Sequence, residues 1–472
     1  MNMSQKLSAC TSILIGKKAS RDGSIMIGRN EDAKAAWPKR LVVHARGEMP
    51  SQFISKDTKL ELTLPKISAR YTATPEWTDK YGLFEEAGIN EYGVAMSATE
   101  SAYSNNLVLG YDPLVKEGLN EEAMVTVVLP YVKTAREGVQ RLGQLVAKYG
   151  TGETNGILFA DDDEAWYLET GAGHYWVAQR IPDDCYAVVA NQLAIQEIDF
   201  NDPDNFMYHP GIQEFVEKNH LNPHPGTFNF RQIFGTADRS DAVYSEPRVW
   251  YVHQMFSPKA AQNEQPEDTE LPFLMKPERQ LSIFDAQAYL GSHYEGTPFD
   301  PIGTGSEEEK HRYRPISLAK TQEAHILQTS RASKNSIHWI AMGVANESTF
   351  VPFFSNINDT PAPYKRGKLP AQLNSAYWIF KHASVLVDSH LHDFLPMLRD
   401  VQKDCNAKAI AMIQATDEKA AGLAGAKLTN YLTRQSENFA IDVLNAYRQL
   451  SLELITKMTD YCPLNFNTDE NL

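Results

Sequence analysis

Cysteine is scarce in this chain: four residues in 472, at Cys10, Cys185, Cys405 and Cys462. None forms a C-x-x-C pair, which argues against a zinc ribbon, a thioredoxin-like motif or a disulfide framework and suits a reducing cytoplasm. Positive charge is also short, with 45 Lys and Arg against 60 Asp and Glu, for a formal net charge of −15. That balance excludes nucleic acid and anionic membrane as main partners. No apolar run approaches the roughly 18 residues of a membrane helix. There is no HExxH, no Rossmann fingerprint and no Walker loop, so neither a metal nor a cofactor is expected. The pair His390 and His392, two apart on an expected helix, points to different faces, as helix-end residues do.

What remains is a chain that alternates strand and helix signals, then turns helical. Residues 120–149 read as helix: Val132, Ala135, Val139, Leu142 and Val146 recur at helical spacing, Gly150 supplies a stop, and Pro130 divides the stretch. Three strands follow, at residues 156–160, 165–169 and 174–178. Their turns at 161–163 and 171–173 make an antiparallel meander. A fourth strand over residues 185–190 ends at Asn191. Strand pattern returns at 325–328 and 337–341. From residue 374 onward the pattern is helical, with Phe439, Val443, Ala446, Leu450 and Leu454 on one face. The pattern alone gives an α+β class.

The chemistry concentrates at the start. Cys10-Thr11-Ser12-Ile13-Leu14-Ile15-Gly16 and Ile25-Met26-Ile27-Gly28-Arg29-Asn30-Glu31-Asp32 read as two strands. Between them Asp22-Gly23 is a hairpin signal. A reversal there sets Cys10 opposite the stretch holding Arg29 and Asp32. If residues 1–9 are removed, Cys10 acquires a free α-amine. Such an amine has an unperturbed pKa of about 7.7–8.0 against about 8.5 for a thiol, so it serves as base without a histidine. Arg29 then favours the thiolate and Asp32 orients the amine. The polar segment before Cys10 lacks the apolar stretch of a signal peptide, so lipoprotein processing at Leu7-Ser8-Ala9-Cys10 is not expected.

These motifs resemble the cysteine dipeptidase family of lactic acid bacteria. That family belongs to the N-terminal-nucleophile (Ntn) hydrolases and is related to bile salt hydrolase and penicillin V acylase. The resemblance rests on Cys10-Thr11-Ser12, Ala19-Ser20-Arg21-Asp22-Gly23-Ser24 and Gly28-Arg29-Asn30-Glu31-Asp32. It continues through 90–100, 188–192 and 244–250, and fades beyond about Phe354. It implies an αββα sandwich of antiparallel sheets with an added C-terminal helical region. The expected divisions are a self-cleaved propeptide at 1–9, a catalytic domain at 10–360 and a helical extension at 361–472.

The implied activity is hydrolysis of dipeptides through an acyl-enzyme on Cys10, with catalytic residues Cys10, Arg29, Asp32, Asn191 and Arg248. Asn191 is read as an oxyanion donor, joined by a backbone N–H near Ala98 or Thr99. Thr99, Glu100 and Arg239 are read as substrate-binding, Glu100 for the ammonium and Arg239 for the carboxylate. The resemblance further implies a homo-oligomer, with the C-terminal helices as assembly surfaces. Two other readings stand beside it: a linear-amide acylase of the bile salt or penicillin V type, and an inactive scaffolding relative. Retention of Cys10, Arg29, Asp32 and Asn191 weighs against the last.

Overall fold

The computed structural model describes residues 10–100, 102–329 and 335–462, with the Glu100 side chain outside that description. The expected propeptide, residues 1–9, lies outside the described residues as well.

Two antiparallel sheets form the centre. The first orders seven strands as Leu274–Met275, Tyr186–Val189, Thr11–Ile15, Ile25–Asp32, Thr321–Thr329, Ile337–Met342 and Val351–Phe354. The second has six, in the order Phe206–Tyr208, Trp176–Ile181, Ala165–Thr170, Asn155–Ala160, Ala95–Glu100 and Ala87–Ile89. The expected meander is present at the middle of this second sheet. The strand that follows it, Tyr186–Val189, leaves for the first sheet and pairs with Thr11–Ile15.

Alternation along each strand sorts side chains into layers. Ile13 and Ile15 join an outer core, while Leu14 joins the core between the sheets. In the second sheet Leu158 and Ala160 face inward, and Ile157 and Phe159 face outward. The outward set packs on the helices Glu121–Val128 and Ala135–Tyr149 through Ala123, Val127, Val139, Leu142 and Val146. A 3₁₀ turn, Leu129–Tyr131, interrupts these two helices at Pro130, and Thr134 caps the second by accepting from the Glu137 N–H. The outer face of the first sheet is covered by helices Glu246–Phe256 and Ile283–Leu290 and by the C-terminal helices Ala376–Ser389, Leu391–Ala420 and Gly425–Met458. Helix, sheet, sheet, helix is the layer order, so the chain is an αββα sandwich of α+β class.

His390 sits where two of the C-terminal helices meet and stacks on Tyr461, their ring centroids 4.5 Å apart.

One strand is out of character. Ile25–Asp32 is central and buried throughout, yet ends in four successive polar residues: Arg29 and Asn30 fully buried, Glu31 5% exposed and Asp32 4% exposed. Buried charge is costly unless it is paired. This is where the chemistry collects.

Candidate active site

The hairpin forms with Thr11 opposite Asn30 and Ser12 opposite Arg29. Gly23 closes the turn at φ 75°, a conformation that favours glycine. Cys10 and Arg29 both face the space between the sheets, and Arg29 Nη1 donates to Cys10 Sγ at 3.3 Å. Cys10 is 7% exposed.

Each nitrogen of Arg29 has a hydrogen-bond partner. Nη2 donates to Glu86 Oε2 at 2.6 Å, and Nε donates to Ser97 Oγ at 3.1 Å. Ser97 Oγ, which accepts from Arg29, is also hydrogen-bonded to His325 Nε2, 3.0 Å away. His325 Nδ1 faces Glu323 Oε1 at 2.8 Å. A chain of hydrogen bonds from Glu323 through His325 and Ser97 thus fixes the plane of the guanidinium beside the sulfur. Glu121 Oε1 lies 3.7 Å from the same Nη1 that faces Cys10. Burial opposes charge on Glu86, but Lys39 and Arg29 hold its carboxyl below the usual range. Burial and the Glu86 charge push Glu121 and Glu31 the other way, well above it.

Asp32 sits elsewhere. Three residues apart on a strand, Arg29 and Asp32 point to opposite faces. Asp32 accepts from Arg314 and from the Thr321 hydroxyl, both in close contact. Arg314 Nη1 also donates to Thr11 Oγ1 at 3.4 Å. For this reason of parity Asp32 does not join Arg29 beside the Cys10 thiol, and the acids that pair with Arg29 are Glu86 and Glu121. Asp32 reaches the Cys10 end of the first strand from its backbone side, through Arg314 and Thr11.

Arg248 is buried and joins the rest. Its Nη1 donates to the Cys10 carbonyl at 2.7 Å and to Thr11 Oγ1 at 2.8 Å, its Nη2 to Asn191 Oδ1 at 2.7 Å, and its Nε to the Tyr244 carbonyl at 3.0 Å. Burial and the Arg314 charge push this guanidinium down to about 10. With Oδ1 held on Arg248, the Asn191 amide is oriented with Nδ2 as its outward donor. The loop after Asn191 is anchored from the second sheet: Glu169 accepts from the Ala194 N–H at 2.7 Å and the Ile195 N–H at 3.0 Å. A cavity of about 560 Å³ opens here, lined by Asn191, Tyr103, Glu153, Thr154, Asp241 and Tyr244. A larger one, about 1140 Å³, lies by Tyr208, Val216 and Phe228 and holds none of these groups.

The remaining expected residues divide. The Ala98 N–H donates to the Glu86 carbonyl at 3.0 Å, so it is not the second oxyanion donor: a strand pairing has taken it. Thr99 is fully buried with an unpartnered hydroxyl, on the same face of its strand as Ser97. The Glu100 side chain lies outside the described residues. Arg239 is exposed at the first turn of helix Arg239–Tyr244, while its neighbours Asp238 and Ser240 line the cavity.

Sequence reasoning missed Glu86, Glu121, Ser97, His325 and Arg314. Glu85-Glu86, two acids placed directly before the apolar strand Ala87–Ile89, were the one local signal available. The others meet Arg29 or Asp32 only through tertiary contact.

The family model described as peptidase family C69 matches residues 9–404. A "Probable dipeptidase" of Latilactobacillus sakei is 46% identical, covering 99% of both chains. "Probable dipeptidase B" of Lactococcus lactis is 39% identical over 98% of each, and "Dipeptidase A" of Lactobacillus helveticus is 36% identical over 96% of this chain and 97% of its own. Among solved structures, a conjugated bile acid hydrolase from Clostridium perfringens aligns with 71% of this chain and 89% of its own, at 13% identity and a TM-score of 0.34. With a family match across most of its length and relatives identical at these levels end to end, the chain belongs to peptidase family C69.

Proposed function

We propose that this protein is a dipeptidase whose nucleophile is Cys10, exposed as the first residue after self-cleavage of residues 1–9. The observation that carries the reading is the junction at Cys10. Its sulfur faces Arg29, its carbonyl is held by Arg248, and the same Arg248 aims Asn191 beside a cavity. The names of the full-length relatives support dipeptides as substrates.

Each residue then has a task. The α-amine takes the thiol proton, and Sγ attacks the carbonyl carbon of the first residue. Asn191 Nδ2 donates to the oxyanion of the tetrahedral intermediate, and Arg29 holds the negative charge on sulfur before attack and again when the thiolate leaves in deacylation. Collapse expels the second amino acid, whose nitrogen takes the proton from the α-ammonium. A thioester remains. Water, deprotonated by the same amine, attacks it and releases the first amino acid. Asp32 acts through Arg314 and Thr11 to hold the N-terminal residue in place. The four cysteines are all free, which supports a reducing compartment.

The test has two readouts. Intact mass of the purified wild type should correspond to a chain starting at Cys10, and Cys10→Ala should retain residues 1–9. A substrate panel of dipeptides, conjugated bile salts and penicillin V should show turnover of dipeptides. A fully active enzyme still carrying residues 1–9, or preference for the acylase substrates, would refute the proposal.

A further inference from the structure

The interior around Arg29 holds more acid than base. Glu31, Glu86 and Glu121 make direct ion pairs there with two cations, Arg29 and Lys39. Glu86 engages both cations, at 2.6 Å and 3.5 Å, and Glu31 lies 3.1 Å from Lys39. Glu121 has the longest contact of the three, 3.7 Å to Arg29 Nη1, and shares a hydrogen bond with Glu86. Three carboxyls share two cations, and Glu121 is the least closely paired with them. Burial and the Glu86 charge raise its carboxyl well above the usual range.

The position of Glu121 matters as much as its charge. It is the first residue of helix Glu121–Val128, whose N-terminal dipole favours an anion. Its side chain keeps 12% exposure, so a ligand reaches it. Its backbone N–H donates to Glu153 Oε2 at 2.9 Å, and Glu153 lines the 560 Å³ cavity beside Asn191. Arg29 Nη1 lies between Glu121 and Cys10 Sγ, at 3.7 Å and 3.3 Å respectively. In a dipeptide the α-nitrogen is two bonds from the carbonyl carbon under attack, so with that carbon about 3–3.5 Å from sulfur it falls about 4–5 Å from Sγ. A carboxylate one guanidinium nitrogen away is within hydrogen-bonding reach of such a group. The buried, unpartnered Thr99 hydroxyl, on the inter-sheet face of the neighbouring strand, points independently to a polar ligand here.

We propose that Glu121, steadied by Glu86 and Arg29, receives the free α-ammonium of the substrate and so restricts the enzyme to unblocked dipeptides. The assignment rests on the dipeptidase reading and names its specificity group. As the ammonium binds, Glu121 gives its proton to water and the two form an ion pair. An N-acylated substrate offers no cation, and the carboxyl keeps its proton.

Steady-state kinetics on a free dipeptide and its N-acetyl form test this in wild type, Glu121→Gln and Glu100→Gln. Wild type should prefer the free form in kcat/KM by about a hundredfold or more. Glu121→Gln should shrink that preference at least tenfold, chiefly by raising KM for the free dipeptide, and should still mature to a chain starting at Cys10. In wild type, KM for the free form should fall as pH rises and Glu121 ionises, while KM for the N-acetyl form stays flat. If Glu121→Gln does not fold, Glu121→Asp keeps the charge but withdraws it by one methylene, and should raise the same KM with kcat retained. An unchanged preference, or its collapse in Glu100→Gln instead, overturns the assignment alone. A wild type that cleaves no dipeptide overturns the activity and the assignment with it.

Discussion

Replacing Arg248 by lysine separates what this side chain does from the mere presence of a positive charge. The guanidinium makes four hydrogen bonds from three nitrogens, to Tyr244, Cys10, Thr11 and Asn191. A single ammonium cannot span them. The bond most exposed to loss is the 2.7 Å one to Asn191 Oδ1, since Asn191 is 1% exposed and no solvent replaces the donor. A hydrogen bond from a charged group is worth about 1.5–3 kcal/mol, so Arg248→Lys should lower kcat by about ten- to a hundredfold as the amide loses its fixed orientation. Deleting the amide in Asn191→Ala removes the proposed oxyanion donor itself, about 2.7–4 kcal/mol or two to three orders of magnitude in kcat. KM for the free dipeptide should change little in either, because the oxyanion exists only in the transition state. The decisive measurement is the double variant. If Arg248 acts by aiming Asn191, the double variant loses little more than Asn191→Ala alone, a coupling of about 1–3 kcal/mol in the cycle. Release of free amino acid from a dipeptide gives kcat for all four proteins. Losses that simply multiply would refute the aiming role and leave Arg248 as a structural tie to the first strand.

Asp32→Asn should cost stability and activity together: it leaves Arg314, whose side chain is 8% exposed, without its carboxylate, and breaking such a buried pair costs about 3–5 kcal/mol. A melting temperature equal to wild type would show that the Asp32–Arg314 pair is not what holds this end of the strand. Stability should fall as pH rises from about 5 to 9. Burial pushes Glu169 up to about 8, Glu122 to about 7 and Glu347 to about 7, so the native chain binds protons that the unfolded chain releases near its ordinary carboxylate range. Each contributes stability that is complete below about pH 4.3 and is lost as pH climbs through its native value, at about 1.4 kcal/mol per unit. His44 runs the same way: against its burial, Glu85 and Glu48 raise it to about 9. Melting temperature against pH checks the slope, and Glu169→Gln should flatten it; a rise in stability over this interval would refute the assignment.

Much of the site was legible because its first half is local. A hairpin over residues 10–32 needs only period-two strands and the Asp22-Gly23 turn, and it brings Cys10 to Arg29 whatever the rest of the chain does. The helix break at Pro130 and the meander were readable for the same reason. The switch of Tyr186–Val189 into the other sheet was not, since the strand looks like a fourth member of the meander. Its apolar run fits either sheet, and the choice is made by pairing with Thr11–Ile15, more than 170 residues away in sequence. That choice brings Asn191 to Cys10, the two bridged by Arg248. The acids around Arg29 were hidden by distance: Glu86 is 57 residues from Arg29 in sequence, and Arg314 is 282 from Asp32. Acids that are spread through a sequence look like solvated surface until the fold buries them.

The three-residue separation of Arg29 and Asp32 has a geometric meaning that a motif hides. On a helix it would set both on one face; on a strand it sets them on opposite faces. Arg29 therefore meets the sulfur in the space between the sheets, while Asp32 meets Arg314 and Thr321 on the other side. An N-terminal cysteine needs both approaches, because its thiol and its α-amine leave the same Cα in different directions. A group that steadies the anion on sulfur would hinder the amine if it stood beside it, since two cations on one side repel. Splitting the pair across the strand gives the thiol a guanidinium and leaves the Asp32 carboxylate on the backbone side, bound to Arg314 and Thr321. Arg248 then ties the two faces together through the Cys10 carbonyl, the Thr11 hydroxyl and Asn191. The spacing is set by strand parity and not by contact between the two residues, so an insertion of one residue between them would move Asp32 to the sulfur's side and abolish the arrangement.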